Sequence, residues 1–125
     1  DVDDEPRIGL QTDVAIAFGS GKKKKWFVAR VERMFNVVGK KKTEWYDPVK
    51  FNERPKTLNF KYRFYHTPTN ASSREFYNLS GDDPLLYEAE TCLAPVEMEW
   101  VQSKKKYRLA NDVVRMLDSK LKALP

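Results

Sequence analysis

The sequence predicts a mainly β domain, with five to six short strands forming a small closed or partly closed barrel and a C-terminal α-helix after them. Three observations lead there. Apolar and polar residues alternate with a period of two over several short stretches. Gly, Pro, Asn and Asp punctuate those stretches at turn-like intervals. The period then changes near residue 111, where Val113, Met116, Leu117 and Leu121 fall at helical spacing.

The elements follow in order. Val14, Ile16 and Phe18 alternate with Asp13, Ala15 and Ala17 as a first strand, and Gly19-Ser20-Gly21 opens the turn after it. Trp26 to Phe35 is the longest strand, with Phe27, Ala29 and Val31 on its core face and Trp26, Val28, Arg30 and Glu32 on the other. Gly39 and the lysines after it make a turn. Thr43 to Tyr46 is a third strand, stopped at Asp47-Pro48 because proline cannot continue a hydrogen-bonded ladder. A polar connection follows from Phe51 to Thr57.

Leu58 to Tyr65 has the clearest alternation, with Leu58, Phe60, Tyr62 and Phe64 on one face. His66 to Ser73 reads as a surface loop, Glu75 to Leu79 as a short strand and Ser80 to Pro84 as a turn. The final strand spans Thr91 to Trp100. Asn111 or Asp112 is positioned to cap the helix, and Lys120 and Lys122 suit its C-terminal dipole. The expected organisation is a flexible acidic segment over 1–11, a β-barrel over 12–101, and a basic turn with a helix over 102–125, packed on the barrel or on a partner.

At 125 residues and 14.6 kDa the chain holds one core. No apolar run approaches the length of a membrane span and no signal-peptide pattern opens the chain, so no membrane partner is expected. Cys92 is the single cysteine, which excludes an internal disulfide and suits a reducing compartment. Asn70-Ala71-Ser72 and Asn78-Leu79-Ser80 match the glycosylation acceptor pattern by chance in that compartment.

The net charge is +5, and its distribution is uneven. Lys22, Lys23, Lys24 and Lys25, then Lys40, Lys41 and Lys42, then Lys104, Lys105 and Lys106 form three runs that hold ten of the 23 basic residues. The remaining 13 face 18 acids, so the body of the domain is acidic and its basicity sits in three patches. Such patches either keep a β-rich chain soluble or attract phosphates and acidic partners in a salt-dependent way. The runs also point to a nuclear location.

Catalytic chemistry is not expected. One histidine, His66, and one cysteine, Cys92, carry no mark of a nucleophile pair and cannot fill a zinc site, so no metal or cofactor is expected. Gly19-Ser20-Gly21-Lys22 lacks the spacing and the following helix of a phosphate loop. Glu88 with Glu90, and Glu97 with Glu99, share strand faces as solvated carboxylates.

Several stretches together resemble an SH3-like barrel of the chromatin-reader kind, a bromo-adjacent homology or Tudor-type domain. They are Val14-Ala15-Ile16-Ala17, Trp26 to Met34, Glu44-Trp45-Tyr46-Asp47-Pro48, Arg74 to Ser80 and Leu93-Ala94-Pro95-Val96, together covering residues 12 to 101. The resemblance implies a chromatin-associated module that recognises a histone tail or other protein segment, in some members a methylated lysine held in an aromatic cage. Trp26, Tyr46 and Tyr65 are the aromatics that alternation leaves off the core faces, and Glu44 and Asp47 stand beside Tyr46. These five are the cage candidates. Two other readings remain open. In one, the lysine runs grip the phosphates of DNA or RNA without reading bases. In the other, the domain is an assembly scaffold whose tail helix docks on a partner.

Overall fold

The computed structural model describes residues 5–19, 21–66, 78–79, 85–88, 91–103 and 105–124, with 78–79 and 85–88 as backbone alone. The fold is mainly β with a C-terminal helix. The strands are β1 (Arg7–Ile8), β2 (Asp13–Phe18), β3 (Lys25–Val38), β4 (Lys41–Trp45), β5 (Val49–Lys50), β6 (Leu58–His66), β7 (Asn78–Leu79), β8 (Leu85–Glu88), β9 (Cys92–Pro95), β10 (Glu99–Val101) and β11 (Lys106–Arg108), and α1 spans Asn111–Lys122. Among the described residues the largest sheet has the order β7-β6-β3-β2-β9, with β4 on β3 and β8 on β6. β8 lies along β6 while β9, which follows after residues 89–91, lies along β2. β8 and β9 are close in sequence but pair at opposite margins, which brings those margins together and curls the sheet.

Two apolar clusters result. The first lies inside the curl and joins Val14 and Ile16 with Ala29, Val31 and Met34, and with Leu58, Phe60, Tyr62 and Cys92. The second lies on the outer face of β2, β9 and the start of β3, where Ala15, Val28, Leu93 and Ala94 meet Leu109, Val114 and Leu117 around α1. Residues on both faces of these strands are therefore buried, and alternation alone cannot tell core from surface here.

β3 changes parity midway. Val31 pairs with Tyr62 and Arg33 with Lys61, so Glu32 is an extra residue in a bulge. The bulge lets Val31 and Met34, three residues apart, both reach the inner cluster. Phe27, expected in the core, is on the inner-cluster parity but 36 % exposed at the strand's open end, edge-on to Phe18 at 5.6 Å. Trp26 and Val28 occupy the buried positions instead, because α1 covers their side.

Other expectations are corrected as well. Residues 7–8 are not outside the domain, because β1 pairs with β5 and Ile8 is fully buried. Lys41 and Lys42 belong to β4, leaving Gly39-Lys40 as a two-residue turn with Gly39 at φ +60°. The expected final strand is two strands. β9 ends at Pro95, and β10 pairs with β11 in a separate hairpin. The residue at the cap position before α1 is Ala110, which makes no side-chain capping bond, and Asn111 and Asp112 are the first two residues of the helix rather than its cap. β1, β5, β8 and β11 have no counterpart among the strands expected from the sequence. Of the expected strand over residues 75–79, Asn78–Leu79 is described and pairs with β6, while 75–77 lie outside the described residues.

Candidate nucleic-acid interface

The charge arrangement separates the arginines from the run lysines. Arg33 grips Glu44 with two donors, Nε at 2.9 Å and Nη2 at 2.8 Å. Those bonds from Arg33 hold the Glu44 carboxyl below its ordinary range. Arg63 Nε donates to Glu32 at 2.8 Å, Arg30 Nε to Asp13 at 3.2 Å, and Arg108 Nη2 to Glu99 at 3.1 Å. Among the described residues, none of the run lysines forms an ion pair with a carboxylate. The planar guanidinium fork suits carboxylates, and these four arginines spend it on the domain's own acids, whereas Lys22, Lys23, Lys25, Lys40, Lys41, Lys42 and Lys105 are exposed.

Lys22 to Lys24 sit on the β2–β3 connection and Lys25 opens β3. Gly19 at φ +87° starts it, and a Cβ there would stand 2.6 Å from the Lys23 carbonyl oxygen, so glycine is required. A short 3₁₀ turn, Gly21–Lys23, presents Lys22 and Lys23 outward. Lys24 Nζ donates to the Leu124 carbonyl at 2.6 Å and so caps the end of α1. A shallow depression here is lined by Gly21, Lys22, Lys24, Asp118, Leu121 and Lys122. Its one acid, Asp118, accepts the Trp26 indole N–H at 2.9 Å. The helix tail thus adds Lys122 to the first run, a neighbour that residue spacing could not show.

The second run is at the other end of β3. Lys40 sits in the turn and Lys41 and Lys42 are exposed on β4, with Lys42 Nζ 5.5 Å from the centre of the Phe35 ring. In the third run, Lys105 takes a left-handed conformation at φ +52° and Lys106 pairs with Val101. Lys104 lies outside the described residues.

The cage candidates do not converge. Trp26 is 7 % and Tyr65 4 % exposed, both in the cluster under α1. The Tyr65 hydroxyl donates to Asp13 at 2.8 Å, and burial, then that hydrogen bond, push its ionisation up. Tyr46 is 66 % exposed beside β4, whose Trp45 pairs with Met34, far along β3 from Trp26. Glu44 is already committed to Arg33. Asp47 is exposed, and its carbonyl accepts the Trp45 indole N–H at 2.7 Å. Alternation misplaced Trp26 and Tyr65 because a helix from the far end of the chain covers the face taken for solvent.

An exposed tryptophan with an aromatic neighbour lies elsewhere. Trp100, 48 % exposed, stands edge-on to Tyr107 at 4.9 Å, and Tyr107 in turn meets Tyr65 at 5.8 Å. The strand register directly opposes Trp100 and Tyr107. The sequence reading placed Trp100 in the final strand and missed Tyr107, whose strand is only three residues long.

Cys92 is buried, its sulfur 2.8 Å from the Tyr62 hydroxyl, and burial pushes the thiol up to about 11. Among the described residues no group of His, Cys, Asp and Glu is arranged to hold a metal, and no helix is long and apolar enough to cross a membrane. The chain matches no protein-family model, no curated protein and no solved structure.

Proposed function

We propose that this chain is a non-catalytic binding module that holds nucleic acid by its phosphates, without reading base sequence. The observation that carries this reading is the division of labour among the cations. Four arginines neutralise carboxylates of the domain itself, whereas none of the described lysines of the three runs pairs with a carboxylate. Phosphate backbones are the polyanions that such ammonium groups attract, with counterion release as the driving term.

The test is fluorescence anisotropy of a labelled 25-base-pair DNA duplex over a salt series. Binding should weaken steeply with salt, by a slope of about 0.9 per phosphate neutralised. Replacing Lys22 to Lys25 together by serine should lower that slope by about 3 to 4 and weaken binding at physiological salt by at least tenfold. Binding that is unchanged by the replacement, or insensitive to salt, counts against the reading.

A second reading has its own observation. The exposed Trp100, set against Tyr107, offers an aromatic surface for a side chain of a histone tail or other protein segment. A histone-peptide array probed with the intact domain and with Trp100→Ala tests it. Peptide binding lost in the variant supports this reading, and a blank array removes it.

A further inference from the structure

The half of the outer sheet face that α1 leaves open carries a register of side chains that joins Lys42 of the second run and the cage candidates Glu44 and Tyr46 to residues of β3 and β6. Arg33 stands opposite Lys61 of β6, and Phe35 stands opposite Glu44 of β4 and Asn59 of β6. Val37 stands opposite Lys42. Directly opposed residues share a face, so Arg33, Phe35, Val37, Lys42, Glu44, Asn59 and Lys61 lie side by side on one surface. Tyr46, one residue beyond β4, continues the row beside Arg33. None of these residues belongs to the cluster under α1. The platform runs about 13 Å along the strands and about 10 Å across them.

Its chemistry is cationic and aromatic together. The Arg33 guanidinium carbon lies 4.9 Å from the centre of the Phe35 ring and Lys42 Nζ lies 5.5 Å from it. Three cations, Arg33, Lys42 and Lys61, share this face with Glu44, which Arg33 neutralises by a bidentate pair, and the register sets Glu88 of β8 opposite Asn59 at its margin. Tyr46 is the most exposed large aromatic of the described residues. Duplex DNA hides its base faces, whereas a single strand offers them for stacking on aromatic rings and guanidinium planes while its phosphates meet lysines.

We propose that this β3–β4–β6 face is a stacking platform for single-stranded nucleic acid, with Tyr46, Phe35 and Arg33 meeting bases and Lys42 and Lys61 meeting phosphates. The proposal rests on the phosphate-binding reading above and adds the strandedness of the ligand. The complementary charge and the exposed Tyr46 ring beside the half-buried Phe35 select this occupant over an acidic protein, which would offer no flat π-face.

Anisotropy of fluorescein-labelled dT12 and of a 12-base-pair duplex, with the full chain at physiological salt, tests it. Wild type should bind dT12, and Tyr46→Ala and Phe35→Leu should each weaken dT12 binding by about tenfold while changing duplex binding less than twofold. Phe35→Leu keeps an apolar side chain in place, and circular dichroism confirms that each variant is folded. Equal losses on both ligands, or dT12 binding unchanged in both variants, overturns the platform. If Lys22 to Lys25→Ser still abolishes duplex binding in that case, the phosphate reading survives alone. Absence of wild-type binding to either ligand overturns both.

Discussion

Cys92 and Tyr62 share one hydrogen bond inside the curl of the sheet, and both are held protonated there by burial. The sign of the consequence follows from proton linkage. The folded thiol ionises near pH 11 and the ordinary thiol near 9, so the folded state holds a proton that the unfolded chain releases between these values. Stability is full below pH 9 and falls as pH rises toward 11, by up to about 3 kcal/mol from the thiol. Urea midpoints measured from pH 7 to 11 should show that fall, and Cys92→Ala should show a shallower one. Midpoints that do not move with pH would mean the thiol is reachable by water. Tyr65, also raised by burial and by its bond to Asp13, adds to the same alkaline loss. Trp26 shows the other side of the residue scale. Its indole ring fills the outer cluster and its N–H reaches Asp118 of α1, so the residue that resembled a spare binding aromatic fastens the helix to the sheet.

At the scale of elements, α1 is part of the domain rather than a detachable arm. Leu109, Val114 and Leu117 are buried against Ala15, Val28, Leu93 and Ala94. Burial of each large apolar side chain stabilises by about 1.5–3 kcal/mol, and a domain's whole stability is about 5–15 kcal/mol. Removing residues 109–125 should therefore leave a chain with no cooperative thermal transition by far-UV circular dichroism. A truncated chain that melts like the parent would return the helix to the scaffold reading, in which it serves a partner. The bulge at Glu32 is the second decisive element. It swaps the parity of β3, turning Met34 inward and Arg33 and Phe35 outward, so one extra residue creates the outer platform.

At the scale of the whole molecule, β3 separates the two best-described basic loops. Lys22–Lys25 precede or open the strand and Lys40–Lys42 follow it, so up to about 43 Å of extended chain lies between them. Sites so far apart act independently. Serine replacements of the first and second runs should therefore add in log affinity for a duplex long enough to touch both, within about 0.5 kcal/mol. A duplex titration with both single-run variants and the combined variant checks this, and strong non-additivity would mean that the two loops share one short binding site. The uneven sign of the surface also has a structural use. Lysines on the exposed edge strand β4 discourage pairing with other chains, so solubility and ligand attraction draw on the same residues.

How much of this the sequence held depends on whether each signal was local. Leu58 to Tyr65 reads as a strand because its side-chain alternation needs only its own residues, and the helix announces itself through its stripe of apolar positions. The excess lysine charge and the isolation of Cys92 are matters of composition, which needs no folded structure to be read. Strands of two or three residues, such as β1, β5 and β11, carry too few positions to show a period, so their partners alone define them. Which face of β3 is buried is likewise a fact about the distant α1, and the bulge that flips that face is a fact about β6. The open platform around Phe35 and the burial of Trp26 and Tyr65 were decided only in three dimensions, because burial depends on what a distant segment covers rather than on the pattern beneath it.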